Sequence, residues 1–129
     1  MSISQKHILW ADDEIEFLKP HILFLEKKGF KVEVVNSGED AIDLIKNKHY
    51  DLLLIDELMT GIDGLTTVKI LRKMNIEIPV VMITKNEEEW LMEEAIAGNI
   101  DNFLTKPVNP SQILSACKSV LQSRQIQSD

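Results

Sequence analysis

The part of the sequence that decides the fold is an apolar run that ends in two acidic residues, Asp51-Leu52-Leu53-Leu54-Ile55-Asp56-Glu57. A short apolar run without polar alternation is typical of a strand that is buried on both faces of a parallel sheet. A second run of this kind follows at residues 80–83. Because such strands need helices on both sides, the two runs predict an α/β protein.

Three further strand patterns complete the predicted sheet, and helical patterns separate the strands. Residues 7–11 are apolar, residues 31–35 are β-branched and partly alternating as at a sheet edge, and residues 102–105 are the weakest candidate. Five strand–helix units in ~125 residues are too few for an eight-fold barrel. The sequence therefore predicts an open five-stranded parallel sheet of order 2-1-3-4-5, with helices on both faces.

Local signals predict where the helices begin. Pro20 falls inside the apolar pattern of the first helix, so this helix either begins late or bends there. Ser37 followed by Asp40 predicts a cap for the second helix, and Asn109 followed by Pro110 predicts the start of the fifth.

The ends of the predicted domain and its fourth helix are less well defined. We expect one domain over residues 1–122 and a polar tail over residues 123–129, which is a frayed helix end, a free terminus or the start of a linker. In the fourth helix, Trp90 is placed either in the core or on a partner surface. The acidic run at residues 87–89 is expected to be a solvated helix start.

Composition excludes several classes of protein. The chain has 129 residues, 44% hydrophobic and 27% charged, and no apolar run approaches the ~20 residues of a membrane span. Its single cysteine, Cys117, excludes an internal disulfide and suits a reducing cytoplasm, which is the expected location. A net charge of −7 disfavours direct binding of nucleic acid, because that binding depends on neutralising phosphates.

Polar residues follow four of the predicted strands. Asp12 and Asp13 follow the first strand, Asp56 ends the third, Thr84 ends the fourth and Lys106 follows the fifth. In an open α/β sheet the ligand site lies at the carboxyl ends of the strands, near the change in strand order. We therefore expect these five side chains to converge at one edge of the sheet.

Converging carboxylates need a positive counter-charge. At an effective dielectric constant of ~20, two carboxylates ~5 Å apart repel by roughly 3 kcal/mol. Mg²⁺, which prefers oxygen ligands, and the Lys106 ammonium would offset this repulsion. The arrangement suits a phosphoryl group that one carboxylate attacks. Asp56 is assigned this attack because it ends the most buried run, and Asp12 and Asp13 are assigned to the metal.

These residues and their order resemble the receiver domain of bacterial two-component response regulators, over residues 8–121. The resemblance implies that Asp56 accepts the phosphoryl group and that Thr84 and Lys106 bind it. It also implies a cis peptide bond before Pro107 and a switch aromatic at Phe103. Residues 1–122 are accordingly interpreted as a receiver domain.

The resemblance also implies the cofactor. The Mg²⁺ ion, for which Mn²⁺ can substitute, would be held by Asp12, Asp13, Asp56 and the backbone carbonyl of Leu58.

The resemblance implies a phosphoacceptor signalling domain and not an enzyme, with at most self-phosphorylation from small donors and self-dephosphorylation. A sensor histidine kinase or phosphotransfer protein would supply the phosphoryl group. Phosphorylation would then change the face formed by the fourth helix, fifth strand and fifth helix. That face would form a homodimer or control an output domain, with no direct contact with nucleic acid or membrane.

Three segments resemble a narrower group. Residues 8–15, 81–89 and 106–114 are similar to PorX-type regulators of Bacteroidetes, which control the type IX secretion system and carry a PglZ-type output domain. The resemblance implies that this sequence is an N-terminal receiver whose output domain lies outside it.

Four positions depart from the usual receiver pattern. Lys85 stands where a small residue is common, so that it either screens or crowds the phosphoryl site or points into solvent. Thr60 replaces a usual proline, which predicts a less rigid loop, and Asn99 replaces a usual glycine but tolerates the left-handed conformation. Phe103 replaces the commoner tyrosine, so its coupling to the switch would rest on packing alone.

The sequence also bears on three alternatives to a receiver. A pseudo-receiver that acts by protein binding without phosphorylation is the main alternative. An aspartyl-phosphate hydrolase would have an Asp-x-Asp pattern after the first strand and a cap domain, and this sequence has neither. A flavodoxin-like FMN carrier would need a phosphate loop after the first strand, where residues 12–14 are all acidic.

Overall fold

The computed structural model describes residues 5–85 and 88–127, without the side chains of residues 89, 90, 95, 96 and 124–127. Strands and helices alternate along the chain. The strands are β1 His7–Ala11, β2 Lys31–Val35, β3 Leu52–Asp56, β4 Val80–Thr84 and β5 Asn102–Thr105. The α-helices are α1 Lys19–Lys27, α2 Gly38–Asn47, α3 Gly64–Lys73, α4 Glu89–Ala97 and α5 Pro110–Gln127.

The strands form one parallel sheet in the order β2-β1-β3-β4-β5, which confirms the predicted topology. β3 and β4 are buried along their whole length, whereas β2 lies at an edge and is only partly buried. The register pairs Ala11 with Ile55 and Thr84 with Thr105. These pairs align the carboxyl ends of the strands, so the residues that follow them meet at one edge of the sheet.

Successive side chains on each strand point to opposite faces and build two cores. On one face, Leu9 and Leu53 belong to a cluster that includes residues of α2, α3 and α4. On the other face, Trp10 and Leu54 pack with residues of α1 and α5, including Cys117. Burial of one large apolar side chain contributes about 1.5–3 kcal/mol, so the two cores fix the sheet that carries the site.

The helices begin where the local signals place them. A 3-10 turn, Ile15–Leu18, precedes α1, and Pro20 lies in the first turn of α1, so the late start is the correct alternative. The Ser37 hydroxyl accepts the Asp40 N–H at 3.1 Å and caps α2. At α5, the Asn109 side chain accepts the Gln112 N–H at 2.9 Å, which confirms the predicted cap.

The least certain regions of the sequence are only partly described. α5 continues to Gln127, beyond the predicted domain boundary at residue 122, and residues 128 and 129 lie outside the described part of the chain. Glu88 is exposed. The side chains of Trp90 and of residues 87 and 89 lie outside the described part of the chain. Across the described residues, no helix combines the length and apolar character that spanning a bilayer requires.

Candidate functional site

Three carboxylates meet at the carboxyl edge of the sheet. Asp12 and Asp13 follow β1, Asp56 is the last residue of β3, and one oxygen of each lies within 4.8 Å of the others. Asp12 and Asp56 are buried, whereas Asp13 is exposed. The side chain of Asp12 is fixed because it accepts the Glu14 N–H at 2.8 Å. The structure thus brings together the acidic residues that the sequence predicts.

Lys106 supplies the positive charge of the site. Its Nζ donates to Asp56 Oδ2 at 3.0 Å, and this carboxylate is almost completely buried. Lys106 directly follows β5, which pairs with β4, and so lies at the carboxyl edge of the sheet. Its backbone N–H donates to the Thr84 carbonyl at 2.8 Å. The Lys106–Pro107 peptide bond is cis, as the family resemblance implies.

Burial and mutual repulsion disfavour the ionised form of the site's carboxylates when no cation is bound. Burial, together with the nearby charge of Asp56, raises the pKa of Asp12 to about 6. Burial also raises the pKa of Asp56, although the hydrogen bond and charge of Lys106 act in the opposite direction. The pKa of Lys106 is raised because Asp56 more than offsets the effect of burial. The protein therefore concentrates dehydrated negative charge that one lysine only partly balances.

The donor set at this site fits Mg²⁺. Three carboxylate oxygens converge within 4.8 Å, and hard oxygen ligands of this kind are what Mg²⁺ prefers. The exposed Asp13 keeps one side of the cluster open to solvent, and Mg²⁺ usually keeps several waters. Leu58 lines the same cavity, in keeping with the role expected of its carbonyl.

A cavity of about 350 Å³ opens over Asp56. Its walls include Asp13, Lys106 and Lys85. Lys85 also lines a neighbouring cavity beside α1, so it stands between two open spaces at the site. Lys85 is exposed as well as part of this wall, so the structure agrees with both interpretations of it.

The loop between β3 and α3 is tied to the metal-binding edge. The Thr60 N–H donates to Asp13 Oδ2 at 3.0 Å, and its hydroxyl donates to the same oxygen at 3.1 Å. Proline, which is usual here, has neither donor. At the end of the loop, a side chain on Gly64 would collide with the Asp56 carbonyl, so glycine allows α3 to start against the site.

Thr84 is buried, and its hydroxyl donates to Glu57 Oε1 at 3.2 Å. Glu57 is buried as well, and burial raises its pKa. The sequence reasoning assigned no role to Glu57. A signal is present in the sequence, because Glu57 directly follows the last residue of β3, where continued alternation would direct its side chain away from that of Asp56.

The remaining predicted residues lie where the fold requires them. Phe103 in β5 is partly buried and packs against the core cluster that contains α2 and α3. Asn99 has a φ of 62°, which confirms the left-handed conformation expected there. Arg72 of α3 donates to the carbonyls of Gly98 at 3.1 Å and Asn99 at 3.0 Å, and so holds the end of α4. This contact had no signal in the sequence pattern.

Comparison with known proteins identifies the family and agrees with the fold. The sequence model of the response regulator receiver domain matches residues 8–118, so this chain belongs to that family. The receiver domain of the Francisella response regulator 1452 covers 93% of this chain and 99% of its own, with 28% identity and a TM-score of 0.86. A CheY-like receiver domain protein of Methanospirillum hungatei, at 24% identity, shares the fold with a TM-score of 0.89, covering 96% of this chain and 99% of its own.

Curated relatives are longer than this chain. The heme response regulator HssR of Staphylococcus epidermidis is 31% identical over 121 residues, which are 94% of this chain and 54% of that protein. The CpxR homolog of Haemophilus influenzae is 32% identical over 115 residues, 89% of this chain and 50% of that protein. The chain spans about half the length of these relatives. Membership therefore establishes a two-component receiver domain, and it leaves the activity of a whole regulator to be proposed.

Proposed function

We propose that this receiver domain is a phosphorylation switch in which Asp56 accepts a phosphoryl group in the presence of Mg²⁺. The observation that carries the proposal is the meeting of three carboxylates with Lys106, whose Nζ lies 3.0 Å from Asp56 Oδ2. A bound Mg²⁺, held by Asp12, Asp13, Asp56 and the Leu58 carbonyl, would supply positive charge to the phosphoryl oxygens; Mn²⁺ can substitute.

The proposed step is a transfer between two covalent carriers. A carboxylate oxygen of Asp56 attacks the phosphorus of a phosphohistidine on a sensor kinase or phosphotransfer protein. The phosphorus–nitrogen bond breaks, the histidine nitrogen keeps the electron pair, and an acyl phosphate forms on Asp56. The Lys106 ammonium, which is paired with the Asp56 carboxylate before the transfer, then pairs with a phosphoryl oxygen. The domain acts as a phosphoacceptor, and its own chemistry is limited to self-phosphorylation and self-dephosphorylation.

The added group would be read out through Thr84 and Phe103. A phosphoryl group adds strong acceptor oxygens and about −1.5 to −2 charges, which attract the Thr84 hydroxyl. Movement of Thr84 would open space towards Phe103, which lies partly buried in β5. The α4–β5–α5 face would change shape and favour a homodimer or the release of an output domain. Such a change is a shift between two arrangements that already exist.

Lys85 would modulate the reaction from the cavity wall. Its ammonium attracts the incoming phosphoryl group, and its side chain limits the approach of bulky donors and of water. This position keeps open the alternative of a pseudo-receiver, in which the site binds partners without being phosphorylated.

The whole regulator is proposed to be a cytoplasmic protein of the PorX type. The similarity of residues 8–15, 81–89 and 106–114 to those regulators supports this assignment. A PglZ-type output domain would follow the receiver, and the output would bear on type IX secretion.

The test is intact-protein mass spectrometry after incubation with acetyl phosphate and Mg²⁺. We expect one added phosphoryl group on the natural chain and none on Asp56→Asn or without Mg²⁺. Asp43→Asn, an exposed residue of α2, is the matched control and should be labelled like the natural chain.

Absence of the adduct would be decided by beryllofluoride, which mimics a phosphoryl group on aspartate. Binding of beryllofluoride would support a competent site that small donors do not reach, with Lys85→Ala as the next variant. If the natural chain binds neither acetyl phosphate nor beryllofluoride, the pseudo-receiver replaces the proposed function.

A further inference from the structure

The switch threonine already has a hydrogen-bond acceptor in the described structure. Its hydroxyl donates to Glu57 Oε1 at 3.2 Å, between two residues that are 1% and 6% exposed. A hydrogen bond between two buried side chains is costly to break, because a polar group left without its partner there has also lost its hydration. Movement of the Thr84 hydroxyl towards Asp56 would break this contact.

Glu57 is held rigidly enough to act as a fixed acceptor. Its N–H donates to the Ile83 carbonyl at 2.8 Å, which joins the ends of β3 and β4. Its carbonyl accepts the Gly64 N–H at 2.9 Å, which joins it to the start of α3. Because both backbone groups are bonded and the side chain is buried, Glu57 has a fixed place where the ends of β3 and β4 meet the start of α3.

Asp56 and Glu57 are neighbours in sequence but lie on opposite sides of the strand end. Side chains alternate across a strand, so the phosphoryl acceptor and the Thr84 acceptor point in different directions. The Asp56 carboxylate is bonded to Lys106, and the Glu57 carboxylate is bonded to Thr84. The Glu57 carboxylate is thus an acceptor of the Thr84 hydroxyl in the described structure, and phosphorylation of Asp56 would add a competing acceptor on the other side of the strand end.

We infer that Glu57 is a positioning residue that holds Thr84 away from the phosphoryl site and so keeps the switch in its resting arrangement. The inference rests on the proposed function, because it assigns a resting partner to the switch. When Asp56 is phosphorylated, the phosphoryl oxygens displace the Glu57 carboxylate as the acceptor of the Thr84 hydroxyl. The strength of the Glu57–Thr84 hydrogen bond then sets the fraction of unphosphorylated molecules in the active arrangement.

Loss of the acceptor should make the active arrangement easier to reach. Apparent affinity for a ligand rises in proportion to the fraction of molecules that are competent to bind it. Net removal of a hydrogen bond between buried side chains changes such an equilibrium by about tenfold. Glu57→Met, which keeps the length of the side chain but not the acceptor, should therefore lower the Kd of beryllofluoride by about tenfold.

The experiment measures beryllofluoride binding with Mg²⁺ by calorimetry for four proteins: the natural chain, Glu57→Met, Thr84→Val and the double variant. Thr84→Val has no hydroxyl to be held, so adding Glu57→Met to it should leave the Kd unchanged. Glu57→Gln retains a neutral amide oxygen and should give an intermediate Kd. Glu77→Met, an exposed glutamate before β4, is the matched control and should behave like the natural chain.

The outcomes separate the inference from the proposed function. If Glu57→Met leaves the Kd unchanged, or changes it equally with and without Thr84→Val, the assigned role of Glu57 is wrong. If Glu57→Met does not fold, the isosteric Glu57→Gln decides the matter in the same two backgrounds. If the natural chain itself does not bind beryllofluoride, the proposed function fails before the role of Glu57 is reached.

Discussion

At the scale of single residues, Thr60 positions a predicted metal ligand through a contact that a usual receiver lacks. Two donors of Thr60 reach the same oxygen of Asp13, so they orient the carboxylate before any ion binds. Both residues are exposed, and exposed charged contacts contribute about 0.2–1 kcal/mol. We therefore expect Thr60→Val, which keeps the N–H but not the hydroxyl, to weaken Mg²⁺ binding about two- to fivefold.

Isothermal titration with Mg²⁺ measures this effect directly. Thr60→Ser restores a hydroxyl and should return the Kd to that of the natural chain. Thr66→Val makes the same change at an exposed position of α3 and should have no effect. Equal Mg²⁺ affinity of Thr60→Val and the natural chain would show that Asp13 needs no help from this loop.

Residue-level prediction from sequence succeeded where the position on a strand was enough. Asp56 and Lys106 could be placed because each follows a recognisable strand, and parallel strands end at one edge. Glu57 has no role in the prediction, and Thr60 is predicted only to make its loop less rigid, because their contacts depend on which way a side chain points and on which loop passes nearby. Lys85 has two interpretations for the same reason, and its exposed position in the cavity wall agrees with both.

At the scale of elements, Arg72 joins α3 to the end of α4. Its guanidinium donates to the carbonyls of Ile76 at 2.9 Å, Gly98 at 3.1 Å and Asn99 at 3.0 Å. Removing the donor from a partly buried carbonyl costs about 1–3 kcal/mol, because the carbonyl oxygen is left without a hydrogen bond. We expect Arg72→Met to lower the free energy of unfolding in urea by this amount.

Lys73→Met provides the comparison for this prediction. Lys73 is the next residue of the same helix and is exposed, so the same substitution there should change stability by less than about 0.5 kcal/mol. Circular dichroism in urea gives both values. Equal losses for the two variants would mean that the Arg72 hydrogen bonds contribute nothing beyond helix propensity.

The elements themselves were largely predictable. Continuous apolar runs at β3 and β4 indicated burial on both faces, and the caps at Ser37 and Asn109 marked where helices begin. The pattern could not decide whether Pro20 bends α1 or lies at its start. Proline fits the first turn of a helix and disturbs a later turn, and the apolar spacing does not show in which turn Pro20 lies. Hydrogen bonds between distant residues, such as those of Arg72 to the carbonyls after α4, do not produce a periodic pattern in the sequence.

At the scale of the whole molecule, the buried acidic site makes stability depend on pH and on Mg²⁺. The pKa of Asp12 rises from 3.8 to about 6 on folding, chiefly through burial. Between these values the folded protein binds more protons than the unfolded chain, so the free energy of unfolding falls as the pH rises, and the loss persists above pH 6. Burial lowers the pKa of His7 below 6.5, which acts in the opposite direction.

The contribution of Asp12 is isolated by comparing the natural chain with Asp12→Asn, because His7 acts equally in both. Without metal, the stability of Asp12→Asn relative to the natural chain should rise by about 1 kcal/mol between about pH 5 and pH 7.5. Saturating Mg²⁺ should reverse the order at the higher pH, because Asp12→Asn lacks one carboxylate ligand and binds the ion more weakly, whereas the natural chain gains about 2.7 kcal/mol at 100 times its Kd. Urea unfolding with and without chelator measures both effects. If the two proteins respond identically to pH, Asp12 ionises as freely as a surface carboxylate, and the acidic site does not store the repulsion that a metal ion would relieve.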